Sequence, residues 1–339
     1  MPGPTVQTII LNYRTPDLTM QAAEAALREM EGISGEIQVV DNDSQDGSFE
    51  FISEAVAAAG WDPARVRLIR SPRNGGYGAG NNLAIRAGLK GGAAPDYVYV
   101  LNPDARPDPG AIRRLVEALE RDPTVGFVGS YIHGPDGEPH QTAFRFPTIW
   151  SEFEGSARLG LVTRLLSGRV VARPIPAETC RVDWLAGASL MMRRSVLDQI
   201  GLFDEEFFLY FEETDLCRRA GLAGWPTIYV RESEVTHDGS VSSGAKGWRR
   251  TPRYWFDSRQ RYFAKNHGAA YAAAATAAHT LGGMIWRARR LVQRKAPADP
   301  PHFLRDLLTH AAQTAARGLR RPEPKDHAEP AAIPRGAGR

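Results

Sequence analysis

Residues 97–104 read YVYVLNPD, an apolar run that ends in Asn102, Pro103 and Asp104. Such a run predicts a buried strand over residues 97–101, because an uninterrupted apolar strand needs other parts of the protein on both of its faces. Proline does not continue a central strand, so the chain turns at this point. The carboxylate of Asp104 is therefore predicted to lie at the carboxyl end of the strand.

The same pattern recurs three times on the amino-terminal side, with helix-forming segments between the apolar runs. The predicted strands cover residues 6–11, 36–40 and 66–70, and the predicted helices cover residues 17–30, 48–59, 81–89 and 109–121. Alternating strands and helices are typical of an α/β fold with a mostly parallel, Rossmann-like sheet and helices on both of its faces.

Polar residues follow each of these strands where the strand ends. They are Asn12, Asp41, Asn74 and Asp104. In a parallel sheet the carboxyl ends of the strands share one edge, and ligands bind beyond that edge. Each of these residues alone is equally typical of a turn or of a helix cap. Four of them at one edge favour a ligand site.

The second half of the chain is less regular. Residues 133–178 are predicted to form an inserted loop region with a helix near residues 151–166. Order returns afterwards, with a helix that carries an acidic cluster over residues 203–221 and a strand over residues 225–230 that leads to His237. The regular part of the fold is thus predicted to resume after the insertion.

Three segments differ in composition. Residues 1–265 are predicted to form one catalytic α/β domain, and residues 266–321 a helical, basic extension. Residues 322–339 contain Pro, Glu, Lys and Arg without apolar periodicity, which predicts a disordered tail.

The run FEETD at residues 211–215 follows the apolar run FFLY. Burial and a neighbouring carboxylate both raise the pKa of a carboxyl group, which suits a general base. Glu213 and Glu212 are therefore candidate catalytic residues. The alternative is an ordinary helix amino terminus, where acidic residues favour the helix dipole.

His237 follows a predicted strand and precedes Asp238. A single histidine is often structural, but an imidazole can also complement the oxygen ligands of Mn²⁺. The hard carboxylate oxygens of Asp104 suit Mg²⁺ or Mn²⁺, which bridge diphosphates. Asp104 and His237 are therefore the candidate metal ligands.

The glycine-rich stretch NGGYGAG at residues 74–80 is only superficially like a dinucleotide-binding fingerprint. Asn81 stands where the third small residue belongs, and the stretch follows the third strand instead of the first. The glycines either let the backbone approach a nucleotide or form a structural turn.

These motifs occur in a fixed order along the chain. They are ILNY at 10–13, VDNDSQDGS at 40–48, NGGYGAGNN at 74–82, LNPD at 101–104, WLAGA at 184–188, FDE at 203–205 and DL at 215–216. The ordered set resembles the inverting family 2 glycosyltransferases of the GT-A fold, and most closely the bacterial rhamnosyltransferases of cell-wall and polysaccharide synthesis. The resemblance covers roughly residues 5–265.

The resemblance implies that a sugar moves from a nucleotide diphosphate to an acceptor hydroxyl, with Mn²⁺ or Mg²⁺ as cofactor. It assigns the base to Glu213, the orientation of the acceptor to Glu212, and contact with the pyrimidine or ribose to Asp41. The first position of the family's Asp-X-Asp motif is Asn102 here, so metal binding depends more on Asp104 and His237.

The remaining site residues implied by the resemblance fall into two groups. The nucleotide sugar is expected at Asn12, Tyr13, Arg14, Asp41, Asn42, Ser44, Asn74, Gly76, Tyr77, Asn81, Asn102 and Asp104. The acceptor is expected at Trp184, Gly187, Ala188 and Glu212.

The resemblance favours rhamnose from dTDP-rhamnose as the donor sugar, with a UDP-hexose as the alternative, and a lipid-linked saccharide of cell-wall or surface-polysaccharide synthesis as the acceptor. A sugar nucleotidyltransferase is disfavoured because residues 12–16 lack a glycine-rich phosphate loop. A non-catalytic scaffold that binds nucleotide sugars remains the non-enzymatic alternative.

Charge is distributed unevenly. Residues 285–339 hold 12 Lys and Arg against 5 Asp and Glu, whereas the whole chain holds 42 against 39, so the remainder is slightly acidic. Basic residues beside Trp286 and an apolar face at Phe303, Leu304, Leu307 and Leu308 suit a helix on an anionic membrane. The alternative is a helix that packs on the catalytic domain. Nucleic-acid binding is disfavoured because the basic charge is confined to this segment.

Location follows from the termini and the cysteines. The amino terminus has no signal-peptide pattern, and the alanine-rich stretch at residues 269–286 is a weak candidate for a spanning helix. Cys180 and Cys217 have no metal-type spacing and indicate a reducing compartment. We therefore expect a cytoplasmic protein, peripheral on the inner face of the cell membrane if the basic segment binds lipid.

Overall fold

The structure is a computed structural model that describes residues 3–239 and 248–319. Its strands are β1 (Thr5–Asn12), β2 (Ser34–Asp41), β3 (Val66–Arg70), β4 (Tyr97–Leu101), β5 (Ala105–Pro107), β6 (Phe127–His133), β7 (Ala143–Phe144), β8 (Cys180–Val182), β9 (Trp184–Leu185), β10 (Ser189–Arg193) and β11 (Thr227–His237). Its helices are α1 (Pro16–Glu29), α2 (Ser48–Ala58), α3 (Gly76–Ala87), α4 (Ala111–Arg121), α5 (Ile149–Ala157), α6 (Gly160–Leu165), α7 (Arg194–Ile200), α8 (Glu212–Leu222), α9 (Arg253–His267), α10 (Ala269–Gln293) and α11 (Phe303–Leu319).

One central sheet organises the described residues. Its strand order is β3-β2-β1-β4-β10-β6-β11-β5, and β8 pairs with β11. Strands β3, β2, β1 and β4 are mutually parallel, as are β6 and β11. The predicted α/β fold with a mostly parallel sheet is confirmed. The antiparallel β10 between β4 and β6 was not predicted, because its apolar run carries no sign of strand direction.

Helices cover both faces of the sheet. Alternate residues of β1 enter two different cores, with Val6 and Ile10 in one and Ile9 and Leu11 in the other. The first core contains the buried faces of α1 and α4, and the second contains those of α3, α7 and α8. Because each face of β1 packs on helices, the strand is buried from Val6 to Asn12, including its polar residues Gln7 and Thr8.

Two predicted helix boundaries are wrong. Helix α3 begins at Gly76, so the glycine-rich stretch forms its first turns instead of a preceding turn. Helix α8 begins only at Glu212, so residues 203–211 are not helical. Tyr210 and Phe211 have φ angles of 71° and 69°, in the left-handed region, and an α-helix cannot continue through such residues.

The predicted inserted loop contains more helix than expected. It forms α5 and α6 where a single helix near residues 151–166 was predicted, and Thr148 caps α5 by accepting a hydrogen bond from the N–H of Ser151 at 3.1 Å. Helix α5 packs against α10 so closely that a Cβ atom at Gly282 would collide with Ser156 and Phe153. The insertion and the carboxyl-terminal helices therefore fold against each other.

A buried ionic network fastens α5, α9 and α10 together. Arg259 of α9 is fully buried and donates to Glu152 of α5 at 2.8 Å and to Thr276 of α10 at 3.1 Å. His279 of α10 lies 2.7 Å from the same Glu152 carboxylate. Burial alone would raise the pKa of Glu152, but Arg259 and His279 outweigh it and lower that pKa to about 2.

The apolar face of α11 packs within the protein, so the expectation that this face contacts a membrane is wrong. Phe303 and Leu307 are buried and pack with Phe256 of α9, and Leu304 is partly buried against the same cluster. The alternative, a helix that packs on the catalytic body, is what the structure contains. Leu308 remains exposed.

No helix among residues 3–239 and 248–319 combines the length and the apolar character that crossing a bilayer requires. The predicted disordered tail, residues 322–339, lies outside the described residues. The domain boundaries at 265 and 321 stay predictions. Cys180 and Cys217 are both free thiols.

Candidate active site

The ends of β1 and β2 bring Asn12 and Asp41 side by side, because the parallel register pairs these two residues. The amide nitrogen of Asn12 donates to Asp41 Oδ1 at 2.7 Å. The hydroxyl of Ser44 donates to the same oxygen at 2.6 Å, and its N–H donates to Asp41 Oδ2 at 3.2 Å. All three side chains are buried. We call Asn12, Asp41 and Ser44 the polar cluster; its carboxylate is fixed by neutral donors.

Arg14 forms the rim of the polar cluster. Its N–H donates to the Ser44 hydroxyl and its Nε to the Ser44 carbonyl, both at 3.0 Å. The guanidinium lies 5.1 Å from the centre of the Tyr13 ring. Arg14 adopts a φ of 59°, so its backbone is held in a conformation that few non-glycine residues adopt.

Asn42 connects the polar cluster to the start of α3. Its amide nitrogen donates to Asn74 Oδ1 at 3.0 Å and to the Gly76 carbonyl at 3.2 Å. Its own amide oxygen is buried and has no hydrogen-bond partner among the described residues. A buried acceptor left open in this way needs a ligand or a water molecule.

Protein packing accounts for the glycines of α3. A Cβ atom at Gly76, whose φ is 87°, would collide with the Phe208 carbonyl, and one at Gly80 would collide with Leu11. Gly78 faces Phe203. Asn81 donates its amide to the Tyr77 carbonyl within the same helix at 3.0 Å. The structural alternative for this stretch is thus sufficient, and nucleotide contact by Gly76, Tyr77 and Asn81 stays a prediction.

Asp104 and His237 meet as the sequence predicts. Pairing of β5 with β11 sets His237 opposite Ala105, next to Asp104. Asp104 Oδ1 lies 3.2 Å from His237 Nε2, and Asp104 is almost completely buried. The half-buried Asn102 lies nearby in sequence, and its N–H donates to the Ala188 carbonyl at 3.0 Å.

This pair fits a divalent cation. Two atoms that bind one octahedral cation at about 2.1 Å and at right angles lie about 3 Å apart. The distance between Asp104 Oδ1 and His237 Nε2 is close to that value. A carboxylate oxygen with an imidazole nitrogen is also a donor set that Mn²⁺ accepts.

A second group of possible ligands was not found from the sequence. Ligand atoms of Asp108, His133 and Glu234 lie within 4.8 Å of one another. They come from three separate segments, so no sequence spacing could indicate them. His133 Nδ1 faces the Gly134 carbonyl at 2.8 Å and Nε2 faces Asp108 at 2.9 Å. Burial lowers the pKa of His133, but these two acceptors outweigh burial and raise it.

Glu212 and Glu213, the glutamate pair, occupy the first turn of α8. Glu212 is 2% exposed and Glu213 is half-buried. Oε2 of each residue is buried without a hydrogen-bond partner among the described residues. One oxygen of each carboxyl group is therefore buried away from water.

The two carboxyl groups of the pair differ in acidity. Burial raises the pKa of Glu213 to about 6, although backbone N–H groups, including that of Gly187, lower it in part. Burial and then repulsion by Glu213 raise the pKa of Glu212 well above its usual value. The pKa is thus raised in both carboxyl groups, and repulsion by the neighbouring carboxylate is a named cause only at Glu212. A raised pKa suits a general base, and the assignment of the base to Glu213 stays a prediction.

Gly187 and Ala188, two predicted acceptor residues, lie where three parts of the site meet. The Tyr77 hydroxyl donates to the Gly187 carbonyl at 2.7 Å. The Gly187 N–H points to Glu213, and the Ala188 carbonyl accepts from Asn102. The link through Tyr77 could not be predicted, because it joins residues 110 positions apart.

The side chain of Trp184 already stacks on and hydrogen-bonds to neighbouring residues of the protein. Its ring stacks on Phe144 with 4.1 Å between the ring centres, and its indole N–H donates to the Arg145 carbonyl at 2.9 Å. These contacts fix the short sheet of β7 and β9. Contact between Trp184 and an acceptor stays a prediction.

The sequence is related to known sugar-transferring proteins. Residues 2–268 match the family described as "Glycosyltransferase like family 2". The N-acetylglucosaminyl-diphospho-decaprenol L-rhamnosyltransferase of Mycobacterium tuberculosis is 35% identical over 218 residues, which span 61% of this chain and 68% of the relative. The rhamnosyltransferase WbbL of Escherichia coli is 28% identical over 165 residues, 48% of this chain and 60% of the relative.

The fold is also found among solved structures. A mannosyltransferase from Pyrobaculum calidifontis, solved in complex with GDP-Man and Mn²⁺, superimposes with a TM-score of 0.55 over 94% of this chain and 82% of that chain. The two sequences are 17% identical, so the likeness concerns the fold alone. With the match to the family over most of the chain, these findings lead to one conclusion: the chain belongs to the glycosyltransferase-like family 2 and is a glycosyltransferase of the GT-A fold.

Proposed function

We propose that the protein transfers a sugar with inversion from a nucleotide diphosphate to a hydroxyl of a lipid-linked saccharide. Rhamnose from dTDP-rhamnose is the favoured donor, in the synthesis of a cell-wall or surface polysaccharide. The observation that carries the proposal is the glutamate pair, in which Glu213 has a pKa of about 6 and a buried oxygen that lacks a partner. The mycobacterial relative is an N-acetylglucosaminyl-diphospho-decaprenol L-rhamnosyltransferase, which supports the choice of sugar and acceptor.

The polar cluster binds the nucleoside of the donor in this proposal. Asp41 accepts hydrogen bonds from the ribose or the base, and the open amide oxygen of Asn42 accepts an N–H of the base. Arg14 lies at the rim, where its charge favours the diphosphate. Because Asn12 and Ser44 already fix Asp41, donor binding needs little further ordering of these side chains.

Asp104 and His237 would hold the divalent cation, Mn²⁺ or Mg²⁺. When bound, such a cation neutralises charge on the diphosphate leaving group. Asp104 is buried just after the end of β4, and β4 pairs with β1, whose end carries Asn12 of the polar cluster. That position supports a role at the diphosphate.

Glu213 accepts the proton of the acceptor hydroxyl. With a pKa of about 6 it is ionised at neutral pH and is still basic enough to take a proton as the hydroxyl attacks. Glu212 orients the acceptor, and its buried Oε2, which lacks a hydrogen-bond partner among the described residues, is the atom that would bond it. Attack from the face opposite the leaving diphosphate inverts the anomeric carbon.

The test is a donor screen with purified protein, Mn²⁺ or Mg²⁺, and a panel of nucleotide sugars. Thermal stabilisation by dTDP-rhamnose that requires the metal, followed by release of dTDP when an acceptor is added, would support the proposal. Stabilisation by a UDP-hexose instead would identify the alternative donor. Donor binding without release in the presence of any acceptor would favour the non-catalytic scaffold.

We also propose that the carboxyl-terminal end of α10 binds an anionic membrane surface. Leu291 and Val292 are 72% and 85% exposed, and the exposed Arg294 and Lys295 follow them directly. Apolar side chains beside basic ones suit the boundary between acyl chains and anionic head groups. A location at the inner face of the cell membrane, which is rich in anionic lipid, follows from this proposal.

Liposome co-sedimentation tests the membrane proposal. We expect the protein to bind vesicles that contain phosphatidylglycerol and not vesicles of phosphatidylcholine alone. A Leu291→Ser/Val292→Ser variant should lose this binding, whereas Leu222→Ser, which changes an exposed leucine on α8, should retain it. Equal binding of the wild type to both kinds of vesicle would contradict the proposal.

A further inference from the structure

Four aromatic side chains lie together beside the glutamate pair. They are Phe208, Tyr210, Trp248 and Tyr254, which we call the aromatic cluster. Ring centres are 5.4 Å apart for Phe208 and Tyr254, 5.8 Å for Tyr210 and Trp248, and 6.2 Å for Trp248 and Tyr254. Phe208 is 38% exposed and the other three are half-buried. The exposed ring of Phe208 therefore gives the cluster an aromatic surface that a ligand can reach.

Backbone contacts fix the aromatic cluster to the site. The Phe208 carbonyl accepts the N–H of Tyr77 at 2.9 Å, and Tyr77 reaches Gly187 beside Glu213. The Leu209 carbonyl accepts the hydroxyl of Ser258, which lies one turn after Tyr254 on α9. Tyr210 stands two residues before Glu212. The cluster is thus built from both sides of the segment that leads into the glutamate pair.

The backbone is strained in the segment that leads into α8. Tyr210 and Phe211 are consecutive non-glycine residues in the left-handed region, with φ of 71° and 69°. Phe211 packs against Trp255 and Tyr262, whereas Tyr210 packs against Trp248 and Tyr254. Such conformations are costly and persist where surrounding structure enforces them, often at functional sites. Here they place two consecutive rings in two different groups of aromatic side chains.

We propose that the aromatic cluster is the acceptor subsite and binds the pyranose ring of the acceptor sugar. This rests on the proposed function. A pyranose has apolar C–H faces and a polar edge, and aromatic rings bury such faces while hydroxyls stay free to bond. The acceptor hydroxyl must reach Glu213, so its sugar must lie beside the glutamate pair. The polar cluster on the other side of the site suits a nucleoside.

The aromatic cluster and the predicted acceptor residues offer an acceptor different kinds of contact. Gly187 and Ala188 offer backbone groups that already bond within the protein, and Trp184 is stacked on Phe144. The aromatic cluster offers ring surface on the segment that leads into α8 and on α9. We therefore assign affinity for the acceptor sugar to Phe208 and Tyr254 in particular, because Phe208 is exposed and Tyr254 contacts the three other rings.

The experiment compares Tyr254→Ala and Phe208→Ala with the wild type in transfer from dTDP-rhamnose, with Mn²⁺. The acceptors are the octyl and methyl esters of N-acetylglucosaminyl diphosphate. Removing an aromatic anchor should raise the KM for both acceptors by roughly ten- to a hundredfold. The affinity for dTDP, measured by calorimetry, should change by less than about twofold, because aromatic anchors act locally. Trp150→Ala is the matched control, since Trp150 is 57% exposed on α5, outside the site.

Each outcome decides the proposal. Tyr254→Phe, which keeps the ring, should lose much less than Tyr254→Ala; equal losses would contradict binding by the ring. Unchanged KM values in both alanine variants would overturn the subsite while leaving the proposed function intact. Loss with the octyl acceptor only would mean that the cluster binds the lipid chain and not the sugar. A wild type that releases no dTDP with either acceptor would contradict the proposed function itself.

Discussion

The polar cluster at the ends of β1 and β2 and the glutamate pair on the first turn of α8 hold their carboxyl groups in opposite ways. In the polar cluster, Asp41 is buried but accepts three hydrogen bonds from Asn12 and Ser44. In the glutamate pair, two buried carboxylates each leave an oxygen without a partner among the described residues. A carboxylate whose oxygens accept hydrogen bonds within the protein suits ligand binding. A carboxyl group with an oxygen that lacks such a bond suits proton transfer.

Hydrogen-bond donors replace, at Asp41, the water that is lost on burial. Glu213 has a buried oxygen without a partner among the described residues, and burial raises its pKa to about 6. We therefore expect the two regions to respond in opposite directions when their carboxylates are replaced by amides. The experiments below test that contrast, from the largest expected effect to the smallest.

Glu213→Gln should have the largest effect. It removes the proposed base and keeps the size of the side chain, so the transfer rate should fall by about 10²–10⁴-fold while donor affinity is retained. Single-turnover kinetics with dTDP-rhamnose, together with calorimetry of dTDP binding, measure the two quantities. Near-normal turnover of this variant would transfer the role to Glu212, and Glu212→Gln is the matched comparison.

Asp104→Asn should come next. Loss of one proposed ligand should raise the Mn²⁺ concentration needed for half-maximal turnover by at least about 10–100-fold. Metal affinity falls by that factor even when only a residue that hydrogen-bonds a ligand is replaced. Asp108→Asn is the control at the second group of possible ligands. If Asp108→Asn impairs metal dependence and Asp104→Asn does not, the cation binds at Asp108, His133 and Glu234 instead.

Asp41→Asn should reduce donor binding and not chemistry. The amide loses the charge that strengthens the bonds from Asn12 and Ser44 and sets an NH₂ group against their donors. The affinity for dTDP should fall roughly tenfold, the size expected for one charged hydrogen bond, with kcat nearly unchanged. The measurement is calorimetry with steady-state kinetics; a loss confined to kcat would contradict a binding role.

The substitutions Asp41→Asn and Glu213→Gln should have opposite effects on the free energy of unfolding. Asp41→Asn should lower the free energy of unfolding by about 1–3 kcal/mol, because buried donors lose their acceptor. Glu213→Gln should act in the opposite sense at neutral pH, because the wild type holds a buried charge there. Unfolding in denaturant measures the free energy of unfolding of both variants and of the wild type. Destabilisation by both substitutions would contradict the expected contrast between the two regions.

The sign of the pH dependence can be worked out from the pKa of Glu213. The folded protein keeps this proton up to pH about 6, whereas the unfolded chain loses it near the usual value of 4.5. The wild type is therefore fully stabilised by this group below pH 4.5 and loses about 2 kcal/mol as the pH rises to about 6. Glu213→Gln should lack this decline. An equal decline in the variant would assign it to other groups.

The fold could be predicted because it depends on local pattern. Apolar runs such as residues 97–101 and the polar residues that end them specify strands and the sheet edge without reference to the rest of the chain. Asp104 and His237 could be paired for the same reason, since each follows a strand. The direction of β10 could not, because an apolar run pairs equally well either way.

Features that depend on distant contacts could not be predicted. The start of α8 at Glu212 follows from left-handed residues at Tyr210 and Phe211, and nothing in their side chains favours that conformation. The apolar periodicity of α11 was visible, but whether Phe303 faces lipid or Phe256 depends on what lies opposite. The aromatic cluster joins residues 208 and 254, which only the fold brings together.

The network around Arg259 has a consequence for how the enzyme can be divided. The match to the family ends at residue 268, but Arg259 donates to Thr276 and Glu152 bonds to His279, both beyond that point. A chain cut at the end of the match would leave a guanidinium and a carboxylate in a cavity vacated by α10. The part of the chain that matches the family is therefore shorter than the part that packs as one body, and shortened versions of this protein should retain α10.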